Sequence, residues 1–316
     1  MRFLALLLLS ALLADHSLAA SYTGAASCAG CHQQAFEQWQ GSHHDWAMKV
    51  ASPETVLGDF DNASFSHGGV KSTFSQRSNQ YYVHTQGADG QYRDFKIDYS
   101  FGVYPLQQYL ISFPDGRVQA LTIAWDSRPK QQGGQRWYQL MPDDKGEPGE
   151  SLHWTGAYYN WNSHCADCHS TGLEKNYSPA TDSFDTLWSD INVACESCHG
   201  PGSDHLEWAA SGQKTGSDKG LKVQYGAAVN WVIAKGASIA SAQGDPHQTA
   251  KSELESCAGC HSRRSKISRD PINNHPQGGG FLDHYRLQTL QRDLPCWRSQ
   301  SLGMWPESLP QRWASR

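Results

Sequence analysis

Cys165-Ala-Asp-Cys-His169 and Cys195-Glu-Ser-Cys-His-Gly-Pro-Gly202, followed by His205, decide how this chain is organised. A C-x-x-C-H unit attaches a c-type haem: the two thiols become thioethers and the adjacent His supplies the proximal iron ligand. The spacing puts all three side chains on one short turn, so one pentapeptide holds one edge of the macrocycle and one face of the iron. The unit recurs as C-A-G-C-H at Cys28–His32 and at Cys257–His261, giving four in all. Thioether bonds are therefore expected at Cys28, Cys31, Cys165, Cys168, Cys195, Cys198, Cys257 and Cys260. Proximal ligation is expected at His32, His169, His199 and His261, and the cofactor content is four haems c.

C-x-x-C by itself also builds zinc knuckles and redox pairs. The fifth residue discriminates. His is 15 of 316 residues, so finding it after every C-x-x-C by chance is on the order of a few in a million. Eight of the nine Cys are consumed, and Cys296 is left over.

Met1-Arg2, the nearly unbroken apolar run Phe3–Ala14 and the small residues Ser17 to Ala20 read as a secretory signal peptide over residues 1–20. The run is short for a bilayer span, and no later stretch reaches about 18 consecutive apolar residues. Export fits the motif count, because c-type haems are attached outside the cytoplasmic membrane, so the expected location is a periplasm. The formal charge is -5 and no basic stripe argues for nucleic acid. With 38% hydrophobic residues and a mean hydropathy of -0.62, the apolar core is thin, and haem faces would supply the missing apolar area.

The expected fold is α+β: short helices and loops around stacked c-type haems, with a small antiparallel β insert. Segments follow as 21–63 (first haem segment), 64–141 (β insert), 142–274 (three haem motifs) and 275–316 (irregular tail). Phe36 and Trp39 share a face of a helix over Gln33–Trp39. In Gly41–Met48, His44 and Met48 sit four apart on one helix face, which makes His44 the first candidate for a distal iron ligand, before His43 and Met48. Apart from the initiator, Met is present only at 48, 141 and 304, so widespread Met ligation is excluded.

In the insert, Tyr81-Tyr82-Val83, the turn Gly87–Gly90, and Phe95, Ile97, Tyr99 and Phe101 at period two give a hairpin. Pro114-Asp115-Gly116 is a second turn before a strand over Val118–Trp125, and Arg136–Met141 is a further strand. His84 belongs to a strand surface. His67 and His153 are further distal candidates, whereas His164 abuts Cys165 and is badly placed for its own haem. Phe184, Leu187, Trp188 and Ile191 give Asp182–Cys195 a helical stripe. Ser203 or Asp204 caps a helix that carries His205, a fourth distal candidate, and Gly212 closes it. A helix over Gln248–Cys257 delivers the last motif, after which Arg263 and Arg264 suit bidentate pairing with haem propionates. Only 26 residues separate Cys168 from Cys195, so the second and third haems must be neighbours. From His275 onward no period survives, as in a disordered, truncated or frame-shifted tail.

With these residues in place the chain resembles multihaem c-type cytochromes related to the tetrahaem electron carriers of nitrification, in the branch often fused to tetratricopeptide repeats. The resemblance rests on five stretches: C-A-G-C-H with W-Q-G-S-H-H-D-W-A-M; F-G-V-Y-P-L-Q-Q-Y-L-I-S-F-P-D-G-R; H-W-T-G before W-N-S-H-C-A-D-C-H-S-T; C-E-S-C-H-G-P-G-S-D-H; and C-A-G-C-H-S-R-R. They cover about residues 25 to 270. The resemblance implies haem-based electron transfer, mostly bis-His iron and redox partner proteins. In the repeat-fused relatives further haem motifs and helical repeats follow, and this chain departs from that pattern after about Leu294. The leading expectation is an electron carrier. A multihaem reductase or oxidase of a small nitrogen or sulfur oxyanion would need one iron with an open distal face. No C-x-x-C-K variant is present to mark a lysine-ligated haem. A third possibility makes the β insert a docking face for a redox partner.

Overall fold

Between Lys49 and Gln139 the period-two alternation of aromatic and aliphatic residues is expressed as antiparallel strands in the computed structural model. It describes residues 19–143, 146–212, 218–223, 225, 230–236, 241–243, 249–267 and 280–288. β1 (Lys49–Val50) lies at the edge of one sheet. β2 (Asp61–His67), β3 (Val70–Arg77), β4 (Gln80–Gln86) and β5 (Tyr92–Ile97) then form a four-stranded meander of their own. The chain returns to the first sheet with β6 (Tyr99–Phe101), β7 (Leu106–Ser112), β8 (Val118–Ala120), β9 (Ile123–Asp126) and β10 (Arg136–Gln139). That sheet runs β1-β6-β7-β9-β10, with β8 also paired to β7. It thus takes in Lys49–Val50, from the segment expected to serve only the first haem.

Both expected turns are present. Gly87–Gly90 links β4 to β5, with the Gly87 N–H donating to Gln91 O at 2.9 Å. Pro114-Asp115-Gly116 links β7 to β8. Gly116 has φ +77°, and a Cβ there would lie 1.8 Å from the Phe184 carbonyl oxygen, so only glycine fits.

The stretch Val118–Trp125, expected as one alternating strand, is instead split into β8 and β9, and every residue in it is buried. The reason is that the six-stranded sheet is covered on both faces. Tyr109, Ile111, Leu121, Ile123, Trp125 and Trp137 face the meander and pack with Phe60, Phe74, Tyr81 and Val83. Leu110, Val118 and Ala120 point the other way, into a second core with Met48, Phe101, Trp161, Ala166 and Leu173. Phe74 lies flat on Trp137 with ring centroids 3.6 Å apart, and Phe60 meets four aromatic rings edge-on.

Two expectations fail on the far side of the sheet. Asp182–Cys195 forms no helix. Thr171 bridges to Asp190 and Glu174 to Leu187, so the segment is extended and paired, and the helix starts only at Cys195. Trp188 and Ile191 still reach the second core, but Leu187 is 54% exposed, as no helix stripe would leave it. Within 275–316, Phe281–His284 is a short helix and Tyr285–Leu287 pairs with Arg264–Lys266, because Tyr285 is buried beneath the Arg264 guanidinium. The rest of that tail, Cys296, and residues 1–18 of the expected signal peptide lie outside the described residues. Among the described residues no helix is long and apolar enough to cross a membrane.

Phe74→Ala removes a fully buried ring from the meander core and is expected to cost about 3–5 kcal/mol. Guanidinium unfolding followed by circular dichroism would show a lowered midpoint with the slope unchanged.

Candidate functional site

Each C-x-x-C-H unit folds as a tight helical turn. In the first, the Cys31 and His32 amides both donate to Cys28 O, at 3.2 and 2.9 Å, and His32 then leads into the helix Gln33–Trp39, as expected. In the second, Asn160 Oδ1 accepts from the Ser163 amide and starts the turn Trp161–His164, which runs on into Ala166–His169. The third is the helix Cys195–His199, ended by Gly200 at φ +83°. The fourth closes the helix Thr249–His261, longer than expected because it runs through the motif.

Two pairs of imidazoles face one another. His32 and His205 have ring centroids 6.1 Å apart, and His44 and His261 have theirs 6.2 Å apart. An iron held between two imidazole nitrogens at about 2 Å each separates the ring centroids by about 6 Å. His205 sits in the helix Ser203–Ala210, where its Nδ1 donates to Lys219 O at 2.7 Å, leaving Nε2 for a metal. His169 is arranged likewise, with Nδ1 donating to Ala47 O at 2.9 Å and Phe101 edge-on to the ring. Partial burial, followed by the nearby His261 and His43, lowers the pKa of His44, and burial lowers those of His169 and His199; all three favour the neutral form that ligates iron.

Gly41–Met48 is not the helix the sequence suggested. Only a 3-10 turn at Asp45–Ala47 forms, because buried Asp45 turns back to accept from the Gly41 amide and pairs with Lys49. Met48 is thereby carried away from His44 into the second core, fully buried. His67 and His153 line a common cavity in the β-sandwich, and among the described residues neither ring meets a motif histidine. His84 stays on the strand surface with Asp94, and His164 remains exposed.

Cysteines of neighbouring turns lie side by side. The Cys195 thiol donates to Cys28, lowering Cys28 to about 6 and raising Cys195. Cys260 donates to Cys168, lowering Cys168 to about 7 and raising Cys260. Cys198 is raised by burial and then by Cys257 beside it, while burial pushes Cys165 up to about 12. The turns therefore adjoin in the order second, fourth, third, first.

Buried polar groups that the motif reading did not flag fix this arrangement. Glu196, 2% exposed between Cys195 and Cys198, accepts from the amides of Thr23, Gly24 and Gly202 at 2.9, 2.8 and 2.7 Å. The Asn192 amide donates to Asp45 O and Oδ1, tying the first-motif loop to the third. Thr171, just past the second motif, donates to Asn192 O and shares a 2.6 Å hydrogen bond with Ser197. Glu196 carried a signal, a carboxylate between two motif cysteines; the pairings of Asn192 with Asp45 and of Thr171 with Asn192 and Ser197 join segments whose sequence gives none.

The cradle fits haem in a second respect. Trp161 Nε1, Asp167 Oδ1, Trp208 Nε1 and Arg264 Nε are buried beside the motifs with no hydrogen-bond partner. Arg264 lies over Tyr285, 3.9 Å from Cys168 Sγ, where it could meet a carboxylate; Arg263 is on the exposed side of the turn. Among the described residues no three His, Cys, Asp or Glu side chains converge as a bare zinc ion would need.

A family model described as cytochrome c554 and c-prime matches residues 27–99 and 124–200. Among curated proteins none matches the chain. The crystal structure of the outer cell wall cytochrome OcwA is similar to it, with a TM-score of 0.49 and 19% identity. The alignment covers 84% of this chain and 45% of that one, so the chain spans less than half of that protein. The matched segments contain the first three C-x-x-C-H units.

Glu196→Ala leaves three amides without their acceptor and is expected to cost about 1–3 kcal/mol, with Glu196→Gln recovering part; thermal unfolding checks both. Burial raises the pKa of Asp190 above its ordinary 3.8. The native state then keeps a proton that the unfolded chain has released, so stability falls as pH rises through that window. Asp190→Asn should flatten that slope in a Tm-against-pH series.

Proposed function

We propose that this chain is a c-type cytochrome, an exported electron carrier holding four haems c bound by the four C-x-x-C-H units. The observation that carries the reading is the pair of imidazole separations, 6.1 Å for His32–His205 and 6.2 Å for His44–His261. When bound, haem c supplies a one-electron ferric/ferrous couple. In this reading the eight cysteines fix the porphyrin edges and His32, His169, His199 and His261 take the proximal positions. His205 and His44 would supply the second imidazole nitrogen to the irons held by His32 and His261. His67 and His153, in the sandwich, are not needed.

The residues around these ligands orient and insulate them. Ala47 O and Lys219 O hold the rings of His169 and His205 by Nδ1, which sets the tautomer. Phe101 and the buried Met48 wall off the His169 side. Arg264 supplies a guanidinium for a propionate. The order second, fourth, third, first would make the redox sites contiguous. A periplasmic location after signal removal and redox partner proteins belong to the same proposal.

One observation favours a second reading. Among the described residues the ring contacts of His169 and His199 are to Phe101 and Tyr225 rather than to a second imidazole, with His32 and His205 reaching His199 only through their charge. An open iron at one of them would suit a reductase or oxidase of a small nitrogen or sulfur oxyanion.

Pyridine haemochrome and intact mass are expected to give four haems per chain. His205→Ala and His44→Ala should each convert one low-spin ferric signal to high-spin in electron paramagnetic resonance while leaving haem content unchanged. An unaltered spectrum in both variants would refute the pairing. A wild-type high-spin fraction that binds cyanide and turns over nitrite would favour the enzyme.

A further inference from the structure

The β-sandwich holds a cavity of about 70 Å³ that none of the attachment turns touches. It opens where the ends of β2 and β3 meet β9, β10 and the loop that carries His153. Among the described residues that line it there is no Asp, Glu, Lys or Arg, and Glu147, outside the lining, reaches His153 only through its charge. Leu121 and Ile123 form an apolar side.

Two polar atoms on the wall are left without partners. Gln139 Oε1 is buried and accepts no hydrogen bond. His153 is 7% exposed, and its Nδ1 accepts the Thr155 amide at 3.3 Å and meets the Thr155 hydroxyl at 2.7 Å. An accepting Nδ1 places the ring proton on Nε2, which has no hydrogen bond of its own. Burial also lowers the His153 pKa, favouring the neutral ring. The Ser72–Thr85 hydroxyl pair, 2.8 Å apart, lines the same space and keeps spare lone pairs. The wall therefore offers one unmet acceptor and one unmet donor.

We propose that this cavity is a binding site for a small neutral molecule of the primary-amide kind, one that donates to Gln139 Oε1 and accepts from His153 Nε2. The volume, roughly twice a water's share of the liquid, admits about three to five non-hydrogen atoms. Among the described lining residues an anion of the same size meets no cationic side chain and a cation meets no carboxylate.

Acetamide, acetate and acetamidinium share shape and differ in charge, so they test the proposal on the haem-loaded protein. Saturation-transfer NMR on the methyl signal should give saturable binding for acetamide and at least tenfold weaker binding for the two ions. Gln139→Leu, nearly isosteric, and His153→Phe should each weaken acetamide about tenfold, with circular dichroism confirming the fold. If a variant fails to fold, the wild-type series of three probes still decides. No saturable acetamide signal, acetate binding as well as acetamide, or acetamide binding unmoved in both folded variants would overturn the site and leave ordered water as its only occupant.

Discussion

Strand β7 is dry on both sides, and the architecture depends on that. Tyr109 and Ile111 face the meander while Leu110 faces the attachment turns, and all three are essentially inaccessible. A half-exposed antiparallel sheet would anchor only one partner. This one packs a sandwich on one face and, through Leu110, Val118 and Ala120, seats Trp161, Ala166 and the second motif on the other. The second turn is thereby referenced to the most rigid part of the molecule, and the others are referenced to it in turn.

Polar groups make those further connections, and they do so without water-exposed ion pairs. Buried carboxylates and amides that collect main-chain N–H groups are directional and are costly to leave unmet in a low-dielectric interior. Glu196, Asn192 and Thr171 each join segments far apart in sequence; Glu196 reaches Thr23 across 173 positions. Exposed pairs such as Arg77–Asp94 add little by comparison. The geometry of the turns relative to one another is thus set by a few short, shielded hydrogen bonds, while the apolar cores set the overall frame.

Much of this was legible in the chain. The motifs, the helix over Gln33–Trp39, both turns of the β insert and the helix bearing His205 follow from local chemistry: thiol spacing, glycine at positive φ, and periodicity. What local chemistry could not supply was tertiary pairing. The apolar stripe of Asp182–Cys195 has helical spacing, yet pairing with Thr171 and Glu174 keeps it extended. Met48 stands four residues from His44, but Asp45 breaks the helix that would have joined them. His67 and His153 had the right side chain for iron and were drawn instead into the sandwich, and nothing near them in sequence marks that. Of the distal candidates, His205 and His44 stand opposite motif histidines, while the acceptors Lys219 O and Ala47 O are carbonyls that every residue type carries.

That last point bears on how such a protein can change over generations. A ring steered by a carboxylate side chain loses its guide to a single codon change. The carbonyls of residues 47 and 219 persist under any replacement that keeps the local backbone path, so neutral drift at those two positions leaves the tautomer and basicity of the two imidazoles where they were. The proton position on each ring is then inherited unaltered, while side-chain identity at the two guiding positions is left to other constraints.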